Sequence, residues 1–315
     1  MKVLKDLRVE IPGTNTHYFN FDELSDNKDC DTLFIYGYEN LLNNSNDKEI
    51  KKYKKKIYFN VTMPTEFCSP QPTDADDKFD AIYTICPYSV EWLNKIKNTN
   101  KYKLAFYPFN SKDIPEPQEK IYDVCYHGGI HGPDYHTMLD IIELFNYRYM
   151  SITTGINSLT QYNLYRATNI NLTHQDKLKV VAQSKISICY NTFDIYKHNV
   201  EYIKSRKDWD QNYAFAFIDG IKKAPQFKSR FNEAAACRTL NLIKKDPWNV
   251  VERYYTPDED FIYFNSNEEL ESKIKDILNN WGDYQQIIEN AYQKSLSYTT
   301  EKLFNFIQSE NNGIN

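Results

Sequence analysis

The sequence predicts an α/β protein built of two Rossmann-like halves facing one another across a cleft, and three observations carry that reading. Short, continuous β-rich apolar runs alternate with helical or polar segments, as expected for parallel strands covered on both faces. The alternation then restarts after a polar stretch, residues 107–120, that carries Pro108, Pro115 and Pro117 and so resists both helix and central strand. Finally, 315 residues with 41% hydrophobic and 15% aromatic content suffice for two domains that each bury a core. The division expected is 1–115, 116–308 and a frayed tail at 309–315.

In the first half the strands are "LRVEI", "TLFIYGY", "KIYFNV", "FDAIYTI" and "KLAFYPF". After Ile85, "CPYSVEWLNKIKN" reads as a helix starting near Pro87 and Ser89, with Val90, Leu93 and Ile96 on one face. The second half opens with "YDVCYHGGIHG", a strand running into a glycine-rich turn. A helix follows, with Met138, Ile141, Ile142 and Phe145 aligned. "YRYMSITTG", the helix "HQDKLKVVAQ" and the strand "KISICYN" come next, then a long charged and aromatic gap at 192–227. "SRFNEAAACRTLNLIKKD" is a helix ahead of a short strand. In "FIYFNSNEELESKIKDIL", Ser266 caps a helix with Glu269 three residues on and Leu270, Ile274, Ile277 and Leu278 inward. Helices at about 282–295 and 299–309 finish the chain.

A formal charge of -5 argues against a global nucleic-acid role. The run "KKYKKK" at 51–56 reads as a solvated helix end entering a strand, with a polyanion site as the alternative. Six cysteines are scattered without a C-x-x-C pair, which fits buried thiols in a reducing compartment. With no apolar leader-like start and no 18-residue apolar stretch, the expectation is a cytoplasmic protein without a transmembrane segment.

Chemistry concentrates at the helix that begins near Ser229. If Ser229 caps it, the first turn offers N–H donors, Arg230 and, one turn later, Glu233. A cation and a carboxylate there can grip a phosphate and a sugar diol. The same stretch also fits a plain surface helix in which Arg230 and Glu233 pair with each other.

"KSRFNEAAACRTLNLI" followed by "FIYFNSNEELESKIKDIL" resembles the carboxyl-terminal half of GT-B glycosyltransferases, and "YDVCYHGG" resembles the start of their donor domain. The likeness spans about residues 119–308, and it implies carboxyl-terminal helices that pack back toward the amino-terminal domain. It implies a metal-independent glycosyltransferase using a nucleotide-diphosphate sugar, UDP- or GDP-linked, with no further cofactor and a glycan or glycoconjugate hydroxyl as acceptor. By the same resemblance, Glu233 binds the ribose hydroxyls, Arg230 and Lys228 meet the diphosphate, and Gly128 and Gly129 let the backbone approach the phosphates. Thr173 and His174 fall where the base is held, although a capped loop before the helix is the plain alternative. The sequence departs from the pattern twice. Pro225 stands where retaining members carry an earlier Glu, which favours inversion, and Arg238 replaces a glycine where the turn needs positive φ.

An inverting reaction needs a base from the first half. Glu66 in "NVTMPTEF", after a strand resembling that of phage DNA β-glucosyltransferase, and His17 in "IPGTNTHYF" are the candidates. His127, His131 and His136 lie among helix-breaking Gly128, Gly129, Gly132 and Pro133 without the carboxylate or thiol set of a metal site. His127 can instead contact phosphate. The D-x-D pairs at Asp74, Asp208 and Asp258 follow no strand cleanly and read as loop charges. The rival readings are a phage-type DNA-base glycosyltransferase, with Lys51 to Lys56 and Arg206 on the DNA, and a non-catalytic nucleotide-sugar-binding protein.

Overall fold

The computed structural model describes residues 1–5, 19–25, 31–37, 50–60, 78–130, 133–151, 166–170, 172–194 and 223–312. The chain forms two compact units. Unit 1 comprises Met1–Tyr107, Phe193–Gln226 and Thr300–Asn315; unit 2 comprises Pro108–Thr192 and Phe227–Thr299. The linear division expected at 115/116 is thereby corrected, because the last helix belongs with the amino-terminal unit.

Unit 1 holds a parallel sheet of β1 (Lys2–Lys5), β2 (Thr32–Gly37), β3 (Lys55–Asn60), β4 (Ala81–Thr84) and β5 (Tyr102–Leu104), side by side in that order. Helix α1 (Pro87–Ile96) starts with proline in its first turn, as expected, and Leu93 points inward. The first strand differs from expectation: β1 lies at Lys2–Lys5, and "LRVEI" falls outside the described residues. The aromatic content finds its use here. Phe21 meets Phe34 edge to face at 5.1 Å, and both reach Phe304 of the final helix.

Unit 2 holds β6 (Tyr122–His127), β7 (Tyr147–Ser151), β8 (Asn169–Ile170) and β9 (Ser184–Tyr190). A separate two-stranded pair, β10 (Thr192–Asp194) with β11 (Lys223–Pro225), falls in unit 1 apart from Thr192, and the main sheet of unit 2 resumes with β12 (Leu240–Lys244) and β13 (Ile262–Phe264). All six main strands run parallel in the order β13-β12-β9-β6-β7-β8. Renumbered from its first strand, this is the 3-2-1-4-5-6 Rossmann order, whose direction of winding reverses between β6 and β9.

Helices cover both faces. Val124 and Tyr126 of β6 pack with Met138, Leu139 and Ile142 of α2 (Pro133–Ile142), while Cys125 between them packs with Leu178, Val181 and Ala182 of α3 (His174–Ala182) and Ala234 of α4 (Ser229–Ala236). The alternation along β6 decides which helix each side chain meets. Residues Arg230 to Ala236 of α4 are all buried, so the alanine run is what lets this helix sit close to the sheet. The cap of α4 is Lys228 rather than the expected Ser229, and its side chain makes no capping bond.

Three helices follow. Ser266 caps α5 (Asn267–Asn279), accepting from the Glu269 N–H at 3.3 Å, and Leu270, Ile274 and Ile277 are buried. Then come α6 (Gln285–Ser295) and α7 (Thr300–Asn312). The frayed tail expected from 309 is corrected as far as Asn312: buried Asn311 donates to the Tyr83 hydroxyl at 2.9 Å. Among the described residues, no helix is long and apolar enough to cross a membrane.

Candidate functional site

In unit 2 the carboxyl ends of β6 and β9 sit where the strand order reverses, the place where open α/β sheets bind ligands. β6 ends in His127 and continues into Gly128 and Gly129; β9 ends ahead of Asn191. The amino termini of α3 and α4 contribute to the same edge. Asn191 Oδ1 accepts the Lys228 N–H at 3.0 Å, tying the start of α4 to the end of β9.

Gly128 has φ +131°, and a Cβ placed there would stand 2.2 Å from Nη2 and 2.7 Å from Cζ of Arg230. The bare Cα is therefore what the guanidinium lies against. On its other side Arg230 faces the Tyr126 ring, with Cζ 4.8 Å from the centroid. Its Nη1 is buried without a hydrogen-bond partner among the described residues. A buried cation with a spare donor is an anion receptor by chemistry. Two positions earlier, burial and the neighbouring Arg230 charge lower the Lys228 ammonium to about 7. An anion shared by the two cations would restore its proton.

Glu233 does not pair with Arg230. Its Oε2 accepts from Lys177 Nζ at 2.7 Å and from His127 Nε2 at 3.1 Å, and all three side chains are buried. Alternation explains His127, which shares the α3/α4 face of β6 with Cys125. Burial alone would raise the Glu233 carboxyl, but the Lys177 ammonium and the His127 hydrogen bond outweigh it and hold the group well below the usual carboxylate range. Burial pushes His127 down to about 4 despite Glu233, so the imidazole is neutral. Because an ionised carboxylate only accepts, Nε2 carries the hydrogen. His127 therefore brings no charge to this edge of the sheet, and its Nε2 is directed to Glu233.

The other expected residues divide. Thr173 is the cap of α3: its hydroxyl accepts from Asp176 N at 3.1 Å and donates to Asp176 Oδ2 at 2.6 Å. His174 follows it, buried, and burial with the nearby Lys177 charge lowers it to about 3. Arg238 does adopt positive φ, +52°, where the family pattern has glycine. Its guanidinium lies 3.4 Å from the Tyr292 ring centroid and 3.6 Å from Glu289. Glu66, His17, Arg206, His131, Asp74 and Asp208 lie outside the described residues.

Lys177 escaped the sequence reading although a signal was present. In "HQDKLKVVA" it shares the i, i+3, i+4, i+7 stripe with His174, Leu178 and Val181, and a lysine on a buried stripe needs an anionic partner. Asp246, two residues beyond β12, was also passed over. Burial raises it to about 6; Oδ1 accepts from Trp248 N at 2.9 Å, while Oδ2 is buried without a partner among the described residues.

In unit 1 the lysine run enters β3 as expected. Lys54 pairs with Asp31 at 2.6 Å, and Lys55 donates to the Asn311 carbonyl. A groove of about 750 Å³ there mixes Lys54, Lys55, Lys101 and Lys103 with Asp31 and Asp80, at the amino-terminal ends of the strands. Interleaved carboxylates make it a poor match for a polyanion.

Comparison with known proteins adds independent findings. Residues 129–307 match the family described as glycosyl transferase-like. Comparison with curated proteins gives no match. Among solved structures, HepE from Anabaena in complex with UDP-glucose aligns with a TM-score of 0.57 at 10% identity, over 90% of this chain and 79% of that one. Sucrose-phosphate synthase from Thermosynechococcus elongatus aligns at 0.54 and 10% identity, over 89% and 72%. S. aureus TarM aligns at 0.53 and 7% identity, over 88% of this chain and 54% of its own.

Proposed function

From the premise that this chain belongs to the glycosyl transferase-like family and has the GT-B fold, we propose that it transfers a sugar from a UDP-linked donor to a hydroxyl of a glycan or glycoconjugate. The observation that carries the donor assignment is the pairing, one helical turn apart, of buried Arg230 with a spare donor and buried Glu233 as an anion. HepE, which shares the fold, is seen with UDP-glucose, and this favours UDP over GDP.

In this reading the diphosphate lies between Arg230, Lys228 and the Gly128/Gly129 backbone. Two cations and bare N–H groups neutralise the leaving group, so no metal ion is required. Both protein donors on Glu233 converge on Oε2, and Oε1 takes the ribose hydroxyls. We read the reaction as inverting because Pro225 offers no carboxylate where retaining relatives carry one. The acceptor oxygen attacks C1 as the UDP oxygen leaves, and a base removes the acceptor proton. Glu66 and His17 are the candidate bases.

Thermal-shift screening against UDP-, GDP-, dTDP- and CMP-sugars tests the donor class, followed by assays of turnover with acceptor panels. UDP-sugars are expected to raise the melting temperature, and Glu233→Gln and Arg230→Ala to remove that shift. No shift with any nucleotide, or wild-type shifts in both variants, would sink the donor assignment. Proton NMR of the product anomer decides inversion, and added EDTA should leave the rate unchanged.

A further inference from the structure

Glu233 is held from a second helix by a residue that the reading above does not use. Lys177 is 1% exposed, and its Nζ sits 2.7 Å from Glu233 Oε2. Resting on the donor-site reading, we propose that Lys177 is a positioning residue for the nucleotide: pinned on Oε2, its ammonium fixes Glu233 as an anion with Oε1 turned to the ribose.

The geometry makes this more than a structural ion pair. Lys177 and His127 converge on one carboxylate oxygen from opposite supports, α3 and β6, which fixes the rotation of the carboxylate plane. The two donors are not equivalent. His127 is neutral, so Lys177 carries the compensating charge for an anion that is 4% exposed. The remaining titratable groups around Glu233 cannot replace it. His174 on α3 is neutral, the thiols Cys189 on β9 and Cys237 beyond α4 are uncharged, and Arg230 on α4 turns to Gly128 and Tyr126. From α6, Glu289 pairs with Arg238 and Lys294 with Asp260. Without Lys177, burial is the largest influence left on the carboxyl, and it favours the protonated form. A protonated Glu233 is a weaker acceptor for a ribose diol.

The test measures UDP affinity by calorimetry between pH 6 and 9 for wild type, Lys177→Met, Lys177→Arg and Glu233→Gln. Wild type and Lys177→Arg should share one pH profile. Glu233→Gln should bind roughly tenfold or more weakly, with no additional pH dependence. Lys177→Met should bind poorly at pH 6 and recover toward wild type as pH rises, gaining up to about tenfold per pH unit. If Lys177→Met does not fold, Lys177→Gln, which keeps a donor without the charge, is read in the same way. A folded Lys177→Met or Lys177→Gln whose profile follows wild type would overturn the proposal. An unchanged affinity in Glu233→Gln would instead remove the donor-site reading beneath it.

Discussion

Gly128 and Arg230 form a matched pair, since the side chain of one fills the space that a Cβ on the other would need. Gly128→Ala therefore meets both a displaced guanidinium and a φ of +131°, and should cost on the order of 2 kcal/mol while weakening UDP binding. Equilibrium denaturation and calorimetry on the one variant check both. The buried histidines set a pH response whose sign is fixed. His127 and His174 have ordinary values of 6.5 and folded values of about 4 and about 3, so the unfolded chain binds more protons as pH falls. The histidine contribution to stability is full above pH 6.5 and is lost progressively below it, with His127 alone accounting for on the order of 3 kcal/mol by pH 4. Calorimetric melting from pH 7.5 to 4.5 should show the decline, and His127→Gln should flatten it. Arg230 and Glu233 were legible from their spacing on one helix. Their partners were not, because Lys177, His127 and Gly128 come from segments between 56 and 106 residues away, which only the fold brings together. A mutual pair was one of the two readings their spacing left open; the structure sends each to a different neighbour.

At the scale of elements, the two ends of the α4 and α5 helices are governed by different rules. Ser266 satisfies the first turn of α5 from its side chain, so Ser266→Ala should destabilise the protein by about 1 kcal/mol in chemical denaturation. At α4 the Lys228 side chain offers no such cap, and the end is tied down instead through the Asn191 side chain. The far end of α4 terminates in a left-handed residue that is an arginine. Arg238 gives up about 1 kcal/mol of backbone comfort at φ +52° and regains a similar amount by lying on Tyr292 beside Glu289. Arg238→Gly should thus stay within about 0.5 kcal/mol of wild type, whereas Arg238→Ala keeps the strain, loses the ring and costs about 1 kcal/mol. The strands and capped helices were readable because apolar runs and cap residues are local signals. β1 and the end of α7 were not: β1 begins at the second residue of the chain, and the end of α7 depends on a distant tyrosine that buries Asn311.

At the scale of the whole molecule, fold class was the most legible property, since alternation and its restart need no knowledge of which strands are neighbours. The partition of the chain was legible only in part: the return of the carboxyl-terminal helices was expected from the resemblance, but composition does not reveal that Phe304 completes an aromatic cluster begun by Phe21 and Phe34. Deleting residues from Thr300 onward should lower the melting of unit 1 while leaving nucleotide binding by unit 2 measurable. Hydrogen exchange resolved along the sequence would separate the two effects. The same three-piece unit 1 also sets an order of events during synthesis. The ribosome makes its sheet strands first, but the helix that seals their aromatic core only after every residue of unit 2 has emerged. The half that starts first is therefore the half that matures last, and its unsealed Phe21 and Phe34 are the surface a chaperone would meet on the nascent chain.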